Sequence, residues 1–448
     1  VNAREDDSLG QRSETTLRLG DHTYVRNANG NVRELRGYLH RRALTDDAID
    51  SGAFLTHPEY SRFAGYADLN GAHAWRLQVT VPGGEPETLW IDATSGLPLR
   101  LEYLDGDGPA YVDYGDWHEV EGRKIAFRTV ETDGDTQFDV VEQVTSVTLD
   151  RPVDAREFAP LEARRLDTAT VHTMPLIERA GHVGTTVSIA GKKYFFLLDT
   201  GAQSILVDQP ILKAAGVSGS GDIEVRGATR GGGLQTAILP SLSIDGARMD
   251  DVVVSSMALA GNNVGGLRFD GILGYPFFAS ALVEMDFAHH RLRFGPPGSF
   301  VPHGERVGLD VDRELAEATF GVGPALQAPF IVDTGNSGTM LLYTPFLDAH
   351  PDVVPKSAAT SLNYGIGGSN QTYQTTLDEL RIAGTHLYHQ NVDVVLAQQG
   401  AFADRVDAGN VGLGVLRNFD ATFDIGDAQM YLDPGAGFDD GRTRAPRT

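Results

Sequence analysis

Phe195-Phe196-Leu197-Leu198-Asp199-Thr200-Gly201 and Pro329-Phe330-Ile331-Val332-Asp333-Thr334-Gly335 are two apolar runs that each end in Asp-Thr-Gly. At ordinary residue usage one such tripeptide is expected roughly 0.1 times in a chain of this length. A short apolar run closed by turn residues reads as a buried strand delivering its last side chain into a bend. Glycine at the third position permits a tight backbone and the close approach of another loop. The threonine supplies a hydroxyl able to bond across to the partner turn. In the first copy Ala202 and Ser204 lead into a second apolar strand, Ile205-Leu206-Val207. In the second, Asn336 and Ser337 lead into Met340-Leu341-Leu342.

Outward from these turns the chain repeats itself. The two aspartates are 333 − 199 = 134 residues apart. Leu242-Ser243-Ile244-Asp245-Gly246 matches Leu380-Arg381-Ile382-Ala383-Gly384 at an offset of 380 − 242 = 138. Ile272-Leu273-Gly274 matches Asn410-Val411-Gly412, and Met285-Asp286-Phe287 matches Phe423-Asp424-Ile425, both again at 138. One four-residue insertion after the second Asp-Thr-Gly is expected to account for the change. Repetition at this length predicts two related β lobes.

Two carboxylates within hydrogen-bond reach cannot both ionise cheaply, so they share one proton and titrate as a pair. The ionised member can take a proton from a bridging water, and the protonated member can donate to a developing oxyanion. Gly-rich segments follow each turn at similar spacing: Gly227 to Gly233, with Gly227, Gly231 and Gly232 as candidate substrate-binding residues, and Gly365 to Gly368, with Gly365, Gly367 and Gly368. As hairpin tips they would close over an extended peptide. Neither runs into a helix with a following Lys, which disfavours a phosphate loop.

The pattern of apolar-apolar-Asp-Thr-Gly with a later apolar-apolar-Gly resembles the aspartic protease superfamily of pepsins and retroviral proteases, over about residues 172 to 434. The resemblance implies that Asp199 and Asp333 are the catalytic pair of an endopeptidase. Thr200, Gly201, Thr334 and Gly335 would support the turns, the substrate would be an extended polypeptide, and no metal or cofactor would be needed. Two Gly-rich tips look like a retroviral-type dimer fused in one chain. Ala202, where pepsin-like members carry a hydroxyl residue, predicts a pair titrating higher than in pepsins. Asn336 and the polar Asn410 depart from the pattern and predict a second lobe less well built for catalysis. They motivate an alternative, a peptide- or lipoprotein-binding protein on an inactive protease scaffold.

Residues 1 to 160 read as short strands split by turn signals such as Pro82-Gly83-Gly84. The stretches Trp90 to Tyr103 and Asp113 to Val130 resemble the lipoprotein-carrier family of bacterial envelopes. That resemblance implies an antiparallel half-barrel-like β domain and a lipid or lipoprotein partner, so that an envelope carrier is a further alternative. The expected organisation is residues 1–160 as this domain, 161–171 as linker, 172–300 and 301–434 as lobes, and 435–448 as a flexible tail. The fold class is mostly β.

A net charge of −24 opposes nucleic-acid binding, because phosphates would be repelled. No run of 18 apolar residues offers a membrane span. The absence of cysteine excludes disulfides, thiolate metal sites and a Cys nucleophile. A first residue of Val1, with no basic-then-apolar leader, is read as a mature periplasmic or secreted protein.

Overall fold

A computed structural model describes residues 2–106, 108–227, 230–259, 267–357, 360–397 and 400–443. The chain is mostly β and divides into two units. The first comprises residues 1–4, 17–23 and 36–160, and the second residues 5–16, 24–35 and 161–448.

In the first unit, seven antiparallel strands from Ser61–Leu69 to Val140–Gln143 follow one another in space as in sequence. Two of the hairpins turn on two residues with positive φ, Asn70-Gly71 and Glu121-Gly122. This geometry matches the twist of the flanking strands. Helix Tyr38–Asp50 and Phe54 accompany the sheet, and Phe54 packs with Val79, Leu89 and Leu101 in a small core.

The second unit holds the repeat. In the first lobe, strand Lys192–Leu198 runs parallel to Gly271–Leu273, which pairs antiparallel with Leu206–Asp208. In the second lobe, Leu326–Val332, Gly409–Val411 and Met340–Tyr343 repeat this arrangement. The Asp245-Gly246 and Ala383-Gly384 matches are the same two-residue turn in each lobe, with φ of 49° and 91° in one and 48° and 67° in the other. Between the lobes, Leu282–Asp286 pairs antiparallel with Phe419–Asp424, at Val283↔Phe423, Glu284↔Thr422 and Met285↔Ala421. Shifting 283 and 285 by 138 gives 421 and 423, so this register is itself the dyad of the repeat. The strands on either side complete a six-stranded sheet with three strands from each lobe.

The insertion differs from the single four-residue block expected. Leu206 and Leu341 occupy the same position, facing Ile272 and Asn410, and 341 − 206 = 135. One added residue therefore sits inside the second Asp-Thr-Gly turn, and the other three come later, before the strand that pairs Asp393 with Leu341.

The boundaries also differ. Residues 5–16 and 24–35 group with the second unit, not with residues 36–160, because their polar side chains complete its backbone hydrogen bonding. The Asn29 amide donates to Val253 O and accepts from Val253 N, both at 2.9 Å. Arg33 donates to Asp312 O at 2.9 Å and pairs with Glu314. The expected linker contributes Leu166, 4% exposed, to the main core, and Asp167 bridges to Arg248. The described part of the expected flexible tail is tied down too. Phe438 meets the Phe419 ring edge-on at 5.9 Å, and Asp440 O accepts from Tyr388 N.

Candidate active site

Each aspartate stands at the end of its strand, where the backbone turns through Thr and Gly. The two turns interlock. Thr200 N donates to Thr334 Oγ1 at 3.0 Å, and Thr334 N donates to Thr200 Oγ1 at 3.1 Å. The hydroxyls continue across, Thr200 Oγ1 to Val332 O at 2.5 Å and Thr334 Oγ1 to Leu198 O at 2.9 Å. Thr200 is 1% exposed and Thr334 0%, so these bonds run in a dry setting where an unpaired group is costly.

Each turn glycine leaves room for the opposite carboxyl. A Cβ on Gly201 would lie 2.7 Å from Asp333 Cγ, and one on Gly335 would overlap the Asp199 carboxyl. Each carboxyl thus lies against the opposite turn. Gly274 and Gly412 pass behind these turns, and a Cβ there would overlap Ala202 O and Ser204 O, or stand 2.5 Å from Gly338 O. Asp199 and Asp333 are half-buried, and their carboxyls interact across the two turns.

Their surroundings are unequal. Asp199 Oδ1 accepts from Gly201 N at 2.9 Å. Asp333 Oδ1 accepts from Gly335 N at 2.9 Å and Asn336 N at 3.0 Å, and its Oδ2 accepts from Asn410 Nδ2 at 2.9 Å. Burial, then the Asp333 charge, pushes the Asp199 carboxyl well above the ordinary carboxylate range. Burial also raises Asp333, while the Asn336 and Gly335 amides and the bond from Asp199 pull it back. Such a pair holds one proton over a wide pH range, with the protonated state favoured at Asp199.

The two Gly-rich tips come together. Gly365 pairs with Gly368 around a two-residue tip, Ile366-Gly367, in which Gly367 has φ of 88°. A Cβ on Gly227 would overlap Ile366 O, and Gly227 O accepts from Ala401 N at 3.1 Å. Ile366 also packs on an apolar wall of the first lobe that includes Phe195, Leu197, Leu206 and Ile272. Gly231 and Gly232 lie behind the first tip on strand Arg230–Ile244, with Gly231 opposite Val225. Residues 228 and 229 of that tip lie outside the described residues.

The sequence predicts from Asn336 and Asn410 a second lobe less well built for catalysis; in the structure the two amides form a hydrogen-bonded chain that ends on Asp333. Asn336 Nδ2 donates to Asn410 Oδ1 at 2.7 Å, and Asn410 in turn donates to Asp333. Their joint departure from the first lobe's Ala202 and Ile272 was the available signal. His182, 7% exposed, was missed altogether: its Nδ1 donates to Gly335 O at 3.0 Å, and burial lowers its pKa, favouring the neutral ring. A single histidine opening a strand carries no sequence mark of that contact. Among the described residues no group of three or more His, Cys, Asp or Glu could hold a metal ion, and no helix is long and apolar enough to cross a membrane.

Residues 185–277 match the family model described as aspartyl protease. No curated protein matches the chain. A DUF1329 family protein from Desulfovibrio piger is similar over 33% of this chain and 69% of its own, at 14% identity and a TM-score of 0.25, a likeness too slight to bear on the fold. The matched segment contains Asp199, its turn and the Gly274 strand, so the chain carries an aspartyl-protease-like domain.

Proposed function

We propose that the protein is an aspartic endopeptidase that hydrolyses peptide bonds with a water activated between Asp199 and Asp333. The observation that carries the reading is the placement of each carboxyl against the opposite turn glycine, held there by the crossed Thr200 and Thr334 bonds. One carboxylate removes a proton from water while the other carboxylic acid protonates the scissile carbonyl, giving a tetrahedral diol that collapses with loss of the amine. No charge is created in the cleft beyond the single one the pair already holds. The meeting of Gly227 and Ile366 supports a cover over an extended substrate, whose backbone would pair with the tips while alternate side chains enter pockets. The apolar wall of Phe195, Leu197, Leu206 and Ile272 favours apolar side chains on the Asp199 side.

Asp199→Asn and Asp333→Asn test the reading. Each is expected to lower peptide cleavage at least about 10³-fold, because either loss removes a proton donor or acceptor needed in the transition state. The fold should survive, and Asp199→Asn should add stability near neutral pH. A carboxyl whose folded pKa is raised loses stabilising effect as pH climbs through that value, and the amide does not titrate. Turnover undiminished in either variant refutes the assignment. Block of wild-type cleavage by a statine-type inhibitor is the complementary check.

A further inference from the structure

We propose that Asn336 and Asn410 form an oriented amide relay that holds Asp333 as the ionised member of the pair and leaves the shared proton on Asp199. Asp333 then takes a proton from the attacking water, the water oxygen bonds to the carbonyl carbon, and the Asp199 proton passes to the carbonyl oxygen. At the end of that step Asp333 is protonated and Asp199 ionised, so charge and protons balance. The inference rests on the peptidase reading and assigns the roles within it.

The orientation of the relay is fixed at its far end. Gly338 N–H, which can only donate, points at Asn336 Oδ1 at 2.8 Å. The Asn336 amide must therefore present its Nδ2 to Asn410 Oδ1, at 2.7 Å. With its oxygen so engaged, Asn410 has only Nδ2 left to face Asp333 Oδ2, at 2.9 Å. A backbone donor thus resolves both amide orientations, and a donor to an oxygen favours its ionised form. Gly338 lies in the loop that is one residue longer than in the first lobe, where seven residues separate Asp199 from Leu206 (206 − 199 = 7) and eight separate Asp333 from Leu341 (341 − 333 = 8).

The first lobe cannot build this device. Ala202 and Ile272 stand where Asn336 and Asn410 stand, shown by Tyr275 N donating to Ala202 O as Leu413 N donates to Asn336 O. Asp199 Oδ2 consequently has no such donor among the described residues. The asymmetry is local to this chain's own duplicated turns, and both asparagines act through Asp333 as positioning residues.

Other titratable or charged groups face the pair from each side. His182 reaches Gly335 O from strand His182–Ile189, with Arg417 beside it donating to Gly181 O. Tyr343 is buried at the end of strand Met340–Tyr343, near Arg313 and its partners Glu317, Asp404 and Asp407. None of these hydrogen-bonds Asp333 among the described residues, and neither substitution below alters them.

The test is the pH profile of kcat/KM on a peptide substrate for wild type, Asn410→Leu and Asn336→Ala. Asn410→Leu keeps the branched skeleton and removes the donor. The acidic limb reports formation of the single negative charge, so it should move to higher pH by about 1–2 units, the size expected for one hydrogen bond to a charged acceptor. The alkaline limb reports loss of the proton from the other aspartate, and it should stay in place. Asn336→Ala frees the Asn410 amide to rotate and should give a smaller shift in the same direction, which keeps the test open if the first variant does not fold. A shift of the alkaline limb alone would place the proton on Asp333 and overturn the proposal, as would two unmoved limbs. Wild type that cleaves no peptide at any pH defeats the peptidase reading instead. Titration of the ¹³C carboxyl signals of the two aspartates, with and without Asn410→Leu, then decides the relay: Asp333 must ionise first, and ionisation of Asp199 first overturns it.

Discussion

At the residue scale the pair depends on two threonines that have no chemistry of their own. Each hydroxyl accepts from the opposite threonine's backbone N–H and donates to a carbonyl at the end of the opposite strand. Thr334→Val keeps the shape and branching and leaves the Thr200 N–H and Leu198 O without partners in a buried place. It should cost about 1–3 kcal/mol per stranded group, read as a lower denaturant midpoint with an unchanged slope. Activity should fall further than stability, because the two turns that position the carboxyls are no longer tied to each other. Thr200→Val should behave alike, since the two bonds are reciprocal, and a neutral result for either would contradict the interlock. These residues were legible from the tripeptide alone, since no other side chain at that position offers both a β-branched shape and a hydroxyl. Asn336 and Asn410 were visible as exceptions, but their partnership was not. They are 410 − 336 = 74 positions apart, and nothing local announces that the amides meet.

Among the elements, the hairpin tips carry the next prediction. Gly227 has no room for a side chain because Ile366 O occupies the space where one would begin. Gly227→Ala must push the two tips apart, while the lobes beneath keep their own cores. The expected outcome is a fall in kcat/KM of about 10-fold or more with little change in thermal stability, since a lid that cannot close admits water and loosens the substrate. Equal activity would remove the tips from the mechanism. Their Gly content was plain in the sequence, and in each lobe the strand before the Gly-rich segment pairs with the strand after it. That Ile366 reaches the first lobe's apolar wall was not readable, because it depends on the pitch of one lobe against the other. The N-terminal strands taught the converse. A strand pattern at residues 24–35 looks like any other meander, and the Asn29 and Arg33 bonds within the second unit are long-range.

Across the whole molecule, acid and base act differently on its parts. In the first unit, Glu87 is 1% exposed and lies beside Asp46 and Asp50, with the Arg42 guanidinium 3.9 Å away. Burial and the neighbouring carboxylates push it up to about 9, and burial with Asp46 takes Asp50 to about 6. A carboxyl raised on folding contributes stability that is full below its unfolded value, near 4.5, and is lost as pH rises through its folded value. Strand Glu87–Asp92 should therefore be more stable at pH 5 than at pH 9. Glu87→Gln should flatten that dependence and stabilise the strand by about 1–3 kcal/mol at pH 9, near the cost of a buried polar group poorly satisfied. Hydrogen exchange of residues 87–92 across this range measures it, and a variant as pH-sensitive as wild type would reject the cause.

The sequence alone determined that the chain is β-rich, that it contains a duplication, and that two aspartates end equivalent strands. Those properties are written in local pattern: apolar runs, turn residues and a constant offset between matches. Tertiary structure alone decided which residues reach Asp333, where the inserted residue falls, that the tips touch, and which N-terminal strands join the lobes. Each of these turns on side-chain contacts between positions far apart in the chain, set by how two lobes pack about one axis rather than by any neighbouring residue.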